Sequence, residues 1–176
     1  MSTFFVFDVE SIGLHGEGFA VGWVVVTDTG EELSCGRASC PPENAAGADD
    51  DRAWVAANIP PIDRDCSTPA EVRAAFWRAW LSRPYNAAMV ADCAWPVEAR
   101  FLAACVDADP VRRRWHGPYP LHDVATARLA AGLDPLATVD RLPSEGPKHD
   151  PLADARQSAR LFLEALRTRM GKENER

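Results

Sequence analysis

"FFVFDVESIGL", residues 4–14, decides how the chain is read. Four apolar residues run straight into Asp8, and Glu10 follows two positions later. Apolar side chains at successive rather than alternate positions describe a strand covered on both faces, as in the middle of an α/β sheet. Side chains on a strand alternate in direction, so Asp8 and Glu10 point to the same side. Two ionised carboxylates sheltered there without a cation would suffer repulsion and a desolvation cost. A divalent metal ion removes both problems, because magnesium takes hard oxygen ligands, usually one or two carboxylates with waters and a substrate phosphate. Taken alone, the pair also fits a strand that simply enters a wet loop at Glu10.

The 176 residues suit one domain over 1–170, with the charged stretch "GKENER" at 171–176 as a tail. A net charge of −7 opposes an extended basic coat for nucleic acid. It leaves room for a short strand held through metal ions in a local groove. No apolar run approaches the roughly 20 residues that cross a bilayer, and the start shows no basic n-region or cleavage pattern. A cytoplasmic protein without membrane contact is expected. The cysteines at 35, 40, 66, 93 and 105 are odd in number and lack paired CxxC spacing, so reduced thiols are expected.

Along the chain, "FAVGWVVVT" (19–27) reads as a second strand and "EELSCGR" (31–37) as its hairpin partner. Residues 41–66, with four prolines and the acidic run Asp49–Asp51, read as a long loop with an ordered piece at "WVAANI". "STPAEVRAAFWRAWL" opens a helix: Thr68 is the N-cap, Pro69 the first helical residue, and Glu71 completes a capping box. "NAAMVADC" is a fourth strand, "WPVEARFLAACV" a helix, "YPLHDV" a fifth strand, and 124–131 a short helix. The last helix spans 151–169, capped by Asp150, with Ala155, Ala159, Phe162, Leu163 and Leu166 on its apolar face. Trp77 and Trp80 read as core, His122 and Asp123 as structural or capping, and Arg112–Arg114 with His116 as a solvated basic turn. The order predicts an α/β domain around a mixed sheet.

"KHDPLADARQSARLFL" gives the second signal. The spacing H-x-x-x-x-D lets His149 and Asp154 converge near the start of the last helix. First-turn acids are favoured by the helix dipole, which accounts for Asp150 but not for His149. Together the two stretches resemble the DEDDh 3′–5′ exonucleases of the ribonuclease H-like fold. "FDVESIGL" is similar to that family's first motif, D-x-E-T-T-G-L, and "HDPLAD" to its third, H-x-x-x-x-D. They stand about 140 residues apart in the required order.

The second motif departs from the family's "HNxxFDxxFL": here the stretch is "MVADCAWPVEARFL". Asp92, at a strand end beside the first strand, is the first choice for its acid. Glu98, which stands where the family has aspartate when counted back from Phe101 and Leu102, is the alternative. The resemblance implies a ribonuclease H-like fold with a central mixed five-stranded sheet flanked by helices. It implies that Asp8, Glu10, Asp154 and the second-motif acid hold two divalent ions, magnesium or manganese, about 4 Å apart. It further implies that His149 is the general base, and that a 3′ end of single-stranded or overhanging RNA or DNA yields nucleoside 5′-monophosphates. Backbone groups of Ser11, Ile12, Gly13 and Leu14 would line the pocket of the terminal nucleotide, the Leu14 side chain would lie against its base, and Trp95 would touch substrate. A homodimer is compatible with the family. The altered second motif keeps a second reading open: a nucleic-acid-binding module that retains the fold without turnover.

Overall fold

A computed structural model describes residues 2–174. Five strands form one sheet: β1 (Thr3–Ser11), β2 (Gly18–Thr27), β3 (Glu32–Ser39), β4 (Ala87–Ala91) and β5 (Leu121–Asp123), in the order β3-β2-β1-β4-β5. β1 is central. It pairs antiparallel with β2 and parallel with β4, and β4 pairs parallel with β5. The sheet is therefore mixed, as expected.

Alternation along β1 divides the core. Phe5, Phe7 and Val9 pack on one face with helix α2 (Pro69–Leu81) and helix α3 (Ala99–Asp107), against Phe76, Trp80 and Phe101. Val6 packs on the other face against Ala155, Ala159, Phe162 and Leu163 of helix α6 (Pro151–Asn174). Both faces are covered, which is why Phe4–Phe7 show no polar alternation. Trp77 and Trp80 are core residues, and all five cysteines are free thiols.

The capping signals behave as chemistry dictates. The Thr68 hydroxyl accepts from the Glu71 N–H at 3.3 Å, and Glu71 accepts in turn from the Ser67 N–H, one residue before the cap. Asp123 caps helix α5 (Val124–Ala130) and also accepts from the Ala94 N–H. A short helix α4 (Pro110–Arg113) follows α3, and its basic run is only partly solvated: Arg113 lies over the Trp77 ring and donates to the Cys105 carbonyl.

Two stretches differ from the sequence reading. Residues 49–58 form helix α1 (Asp49–Asn58) rather than loop. The run Asp49–Asp51 occupies its first turn, where three acids meet the positive end of the helix dipole. Helix α6 continues to Asn174, into the stretch read as a tail, and Lys172 donates to the Ala131 carbonyl. Residues 175–176 of that tail lie outside the described residues.

Candidate metal centre

Parallel pairing puts Phe7 of β1 beside Ala91 of β4. The next residue on β1 is Asp8 and the residue after β4 is Asp92, so the two acids are neighbours where the β1–β4 pairing ends. Asp8 and Glu10 share the face of Val6, the face that α6 covers. Opposite Asp8 on β2 stands Gly22. A Cβ at Gly22 would overlap the Pro151 carbonyl and the Leu152 nitrogen. Its absence lets the first turn of α6 rest on the sheet and deliver Asp154 beside Asp8.

That turn is fixed from both sides. The Asp150 Oδ1 accepts from the N–H groups of Leu152 and Ala153, each at 3.0 Å, as an N-cap does. Its Oδ2 accepts from Arg37 at 3.1 Å. His149, just before the cap, has φ +62°, a left-handed conformation that non-glycine residues adopt at a cost. This turns its backbone N–H onto Asp154 Oδ2 at 2.9 Å and sets its Nδ1 3.8 Å from Glu10 Oε1. Glu10, His149 and Asp154 each present a ligand atom within 4.8 Å of the other two.

These groups line an open cleft of about 730 Å³ with Asp8 and Asp92, and residues 135–141 and Lys148 line it as well. A more apolar hollow of about 470 Å³, walled by Phe19, Cys40, Val55 and Ile59, contains none of the paired acids. Electrostatics mark the cleft as unusual. Burial raises the Asp8 carboxyl well above the ordinary carboxylate range, and the charges of Asp154, Glu98, Glu10 and Asp92 push it further. Burial and the charges of Asp154 and Glu98 push Glu10 up to about 8. Asp154 is raised by burial, against the pull of Arg141. His149 is lowered by partial burial and by Lys148, so its imidazole is neutral and basic near pH 7. Five acids held this way fit a hard divalent cation, which supplies the missing positive charge through oxygen ligands.

Both second-motif acids approach Asp8, from different directions. Asp92 lines the cleft; burial raises it, a hydrogen bond with Ser158 lowers it, and Asp154 raises it again. Glu98 is buried at the start of α3, and burial raises it to about 7 while its own N–H and that of Val9 pull it down. Glu98 is the stronger of the two in its effect on Asp8 and also acts on Glu10. Cleft lining favours Asp92 and electrostatic coupling favours Glu98. Asp92 lines the open cleft, and Glu98 does not.

The expected nucleotide-pocket residues lie beside the cleft rather than along its wall. Ser11 lines a neighbouring hollow and donates from Oγ to the Gly13 carbonyl at 2.7 Å. Gly13 has φ +65°, and a side chain there would also collide with the Asp51 carboxylate of α1. Leu14 and Trp95 are exposed, at 65% and 68%. The Ile12 side chain is fully buried in the core, and its N–H donates to the Glu17 carbonyl at 3.1 Å.

Two neighbours of the site had no counterpart in the sequence reading. Trp54 of α1, half exposed, meets the His149 ring edge-to-face with centroids 5.4 Å apart. The acids at 49–51 before it were the available signal, masked by the flanking prolines. Arg141 bonds directly to Asp154 and donates to Gln157 Oε1 at 2.8 Å. A lone arginine in a loop offers no signal.

No protein-family model and no curated protein matches the sequence. Solved structures do match the fold. Pop2p of S. pombe, in a form with Mg2+ and Mn2+ bound, superposes with a TM-score of 0.65 at 11% identity, over 91% of this chain and 81% of that one. E. coli ExoI, in a zinc-bound complex with single-stranded DNA, superposes with a TM-score of 0.62 at 14% identity, over 95% of this chain but 41% of ExoI. The chain thus spans less than half of ExoI. The fold is ribonuclease H-like, as expected.

Proposed function

We propose that the protein is a divalent-metal-dependent 3′–5′ exonuclease that acts on single-stranded or overhanging RNA or DNA. The observation that carries this reading is the meeting of Asp8, Glu10, Asp92, Asp154 and His149 in one cleft, where Asp8 and Glu10 have no compensating positive charge. The neighbours support it, since one is solved with Mg2+ and Mn2+ and the other with single-stranded DNA.

Asp8, Glu10, Asp154 and Asp92, with Glu98 as the alternative, would hold two Mg2+ or Mn2+ ions. When bound, such ions lower the pKa of a water and stabilise charge on the phosphate and the leaving 3′-oxygen. His149, neutral near pH 7, takes a proton from the attacking water at an imidazole nitrogen. The water oxygen bonds to phosphorus, the P–O3′ bond breaks, and a nucleoside 5′-monophosphate leaves. Trp54 holds the imidazole edge-on and limits its swing. Leu14 and Trp95, both exposed, offer apolar surface to a terminal base.

The test is a gel assay with 5′-labelled single-stranded RNA and DNA, with Mn2+, Mg2+ or EDTA. A metal-dependent ladder shrinking from the 3′ end, lost in Asp8→Ala and His149→Ala, is expected. Asp92→Ala and Glu98→Ala run beside them, and the one that abolishes the ladder names the fourth ligand. Intact RNA and DNA with folded protein and either metal would discard the enzyme and leave the binding module.

A further inference from the structure

The loop between α5 and α6 contributes one cation that reaches into the acidic cluster. Nη2 of Arg141 bonds to Asp154 Oδ1 and to Gln157 Oε1, and its Nη1 reaches the Pro147 carbonyl at 3.4 Å. The other oxygen of Asp154 is held by the His149 N–H. Both carboxylate oxygens are therefore engaged, one by a backbone amide within the start of α6 and one by a side chain from a loop. The Arg141 and Asp154 side chains are 19% and 17% exposed, so solvent screens the pair only partly.

We infer that Arg141 is an internal counter-ion for Asp154 that a divalent cation must displace, and that the displaced guanidinium then binds a substrate phosphate in the same cleft. A cation drawn to the ligand atoms of Glu10, His149 and Asp154 lies against that guanidinium, and like charges at such range repel. The amide contact of His149 is fixed by the helix start, so Arg141 is the partner that gives way. Arginine does not lose its proton at any working pH, so only competition opens the contact. Once free, its planar fork suits phosphate oxygens. Arg141 and Lys148 line the same cleft as the acids, so a phosphate brought to ions held there would lie within that cleft.

The inference rests on the metal-dependent reading, and the experiment separates the two. Mn2+ is titrated into wild type, Arg141→Ala and Arg141→Lys by electron paramagnetic resonance, with no nucleic acid present. Thymidine and uridine 5′-monophosphates are then titrated at saturating Mn2+. Removing a partly screened ion pair should tighten Mn2+ binding in Arg141→Ala roughly three- to tenfold. The same variant should bind both monophosphates more weakly than wild type. Arg141→Lys keeps the charge but loses the planar guanidinium whose Nη2 joins Asp154 to Gln157, and should fall between; it carries the test alone should the alanine variant not fold. Mn2+ affinity unchanged or weakened in the variants would overturn the inference and leave the exonuclease reading standing. Tighter Mn2+ with unaltered monophosphate binding would overturn the phosphate role. A wild type that binds no Mn2+ would remove both.

Discussion

Asp8 has Asp154, Glu98, Glu10 and Asp92 around it, and its folded environment opposes its charge. Such a residue costs stability when no cation is present. Asp8→Asn keeps the shape and removes the charge, so it should raise the Tm in EDTA, at roughly 2–4 °C per kcal/mol for a chain of this size. It should also cancel the Tm gain that Mn2+ gives the wild type. A lower Tm in EDTA, followed by circular dichroism, would show that Asp8 contributes to the fold rather than to a charge centre. His149 separates stability from catalysis in another way. Its left-handed φ suits asparagine better than histidine. His149→Asn should keep the wild-type Tm or exceed it, while kcat falls about 10²- to 10⁴-fold as expected for a lost general base. Loss of activity together with loss of folding would deny the separation.

The start of α6 is the element on which the site depends. It carries Asp154, is capped by Asp150 and rests on Gly22, directly across from Asp8. The colliding atoms at Gly22 are helix backbone, which cannot turn away as a flexible side chain can. Gly22→Ala should therefore lift the first turn of α6, costing about 1–3 kcal/mol as overpacking does, and should weaken Mn2+ binding. Denaturant titration and the Mn2+ titration read the two effects; normal Mn2+ affinity would show that Asp154 is positioned by something else. The strands and α6 were legible in the sequence because their signals are local: apolar runs, a cap followed by proline, and an apolar stripe at helical spacing. Asp8, Glu10, His149 and Asp154 were legible because the members of each pair lie close in the chain at a fixed spacing. Helix α1 was hidden because prolines at 41, 42, 60 and 61 bracket it, and its only sign was three acids in the first turn. Trp54 and Arg141 were hidden for a different reason: their partners lie far away in sequence or across a loop, and only the fold brings them to the cleft.

For the whole molecule, the cluster turns an excess of acid into a pH-dependent stability. Glu10 moves from an ordinary 4.5 to about 8 and Glu98 from 4.5 to about 7. Between 4.5 and those values the folded chain keeps protons that the unfolded chain has released. Stability therefore falls as pH rises through that window, by at most about 1.4 kcal/mol per pH unit for each group. His149 works in the opposite sense below its ordinary 6.5, since its folded value is lowered and the unfolded chain binds the extra proton there. His149 offsets part of the decline below 6.5, so in EDTA the decline should run unopposed from about 6.5 to 8. Thermal melts at half-unit pH steps would read it. Glu10→Gln should flatten the upper part of the curve, because it removes a group that holds its proton up to about 8. Saturating Mn2+ should flatten it in the wild type as well, since bound cations favour the ionised carboxylates in the folded state. A Tm in EDTA that stays level or climbs from pH 6.5 to 8 would mean that these carboxyls ionise freely. The repulsion that gives the cleft its demand for a cation would then be absent.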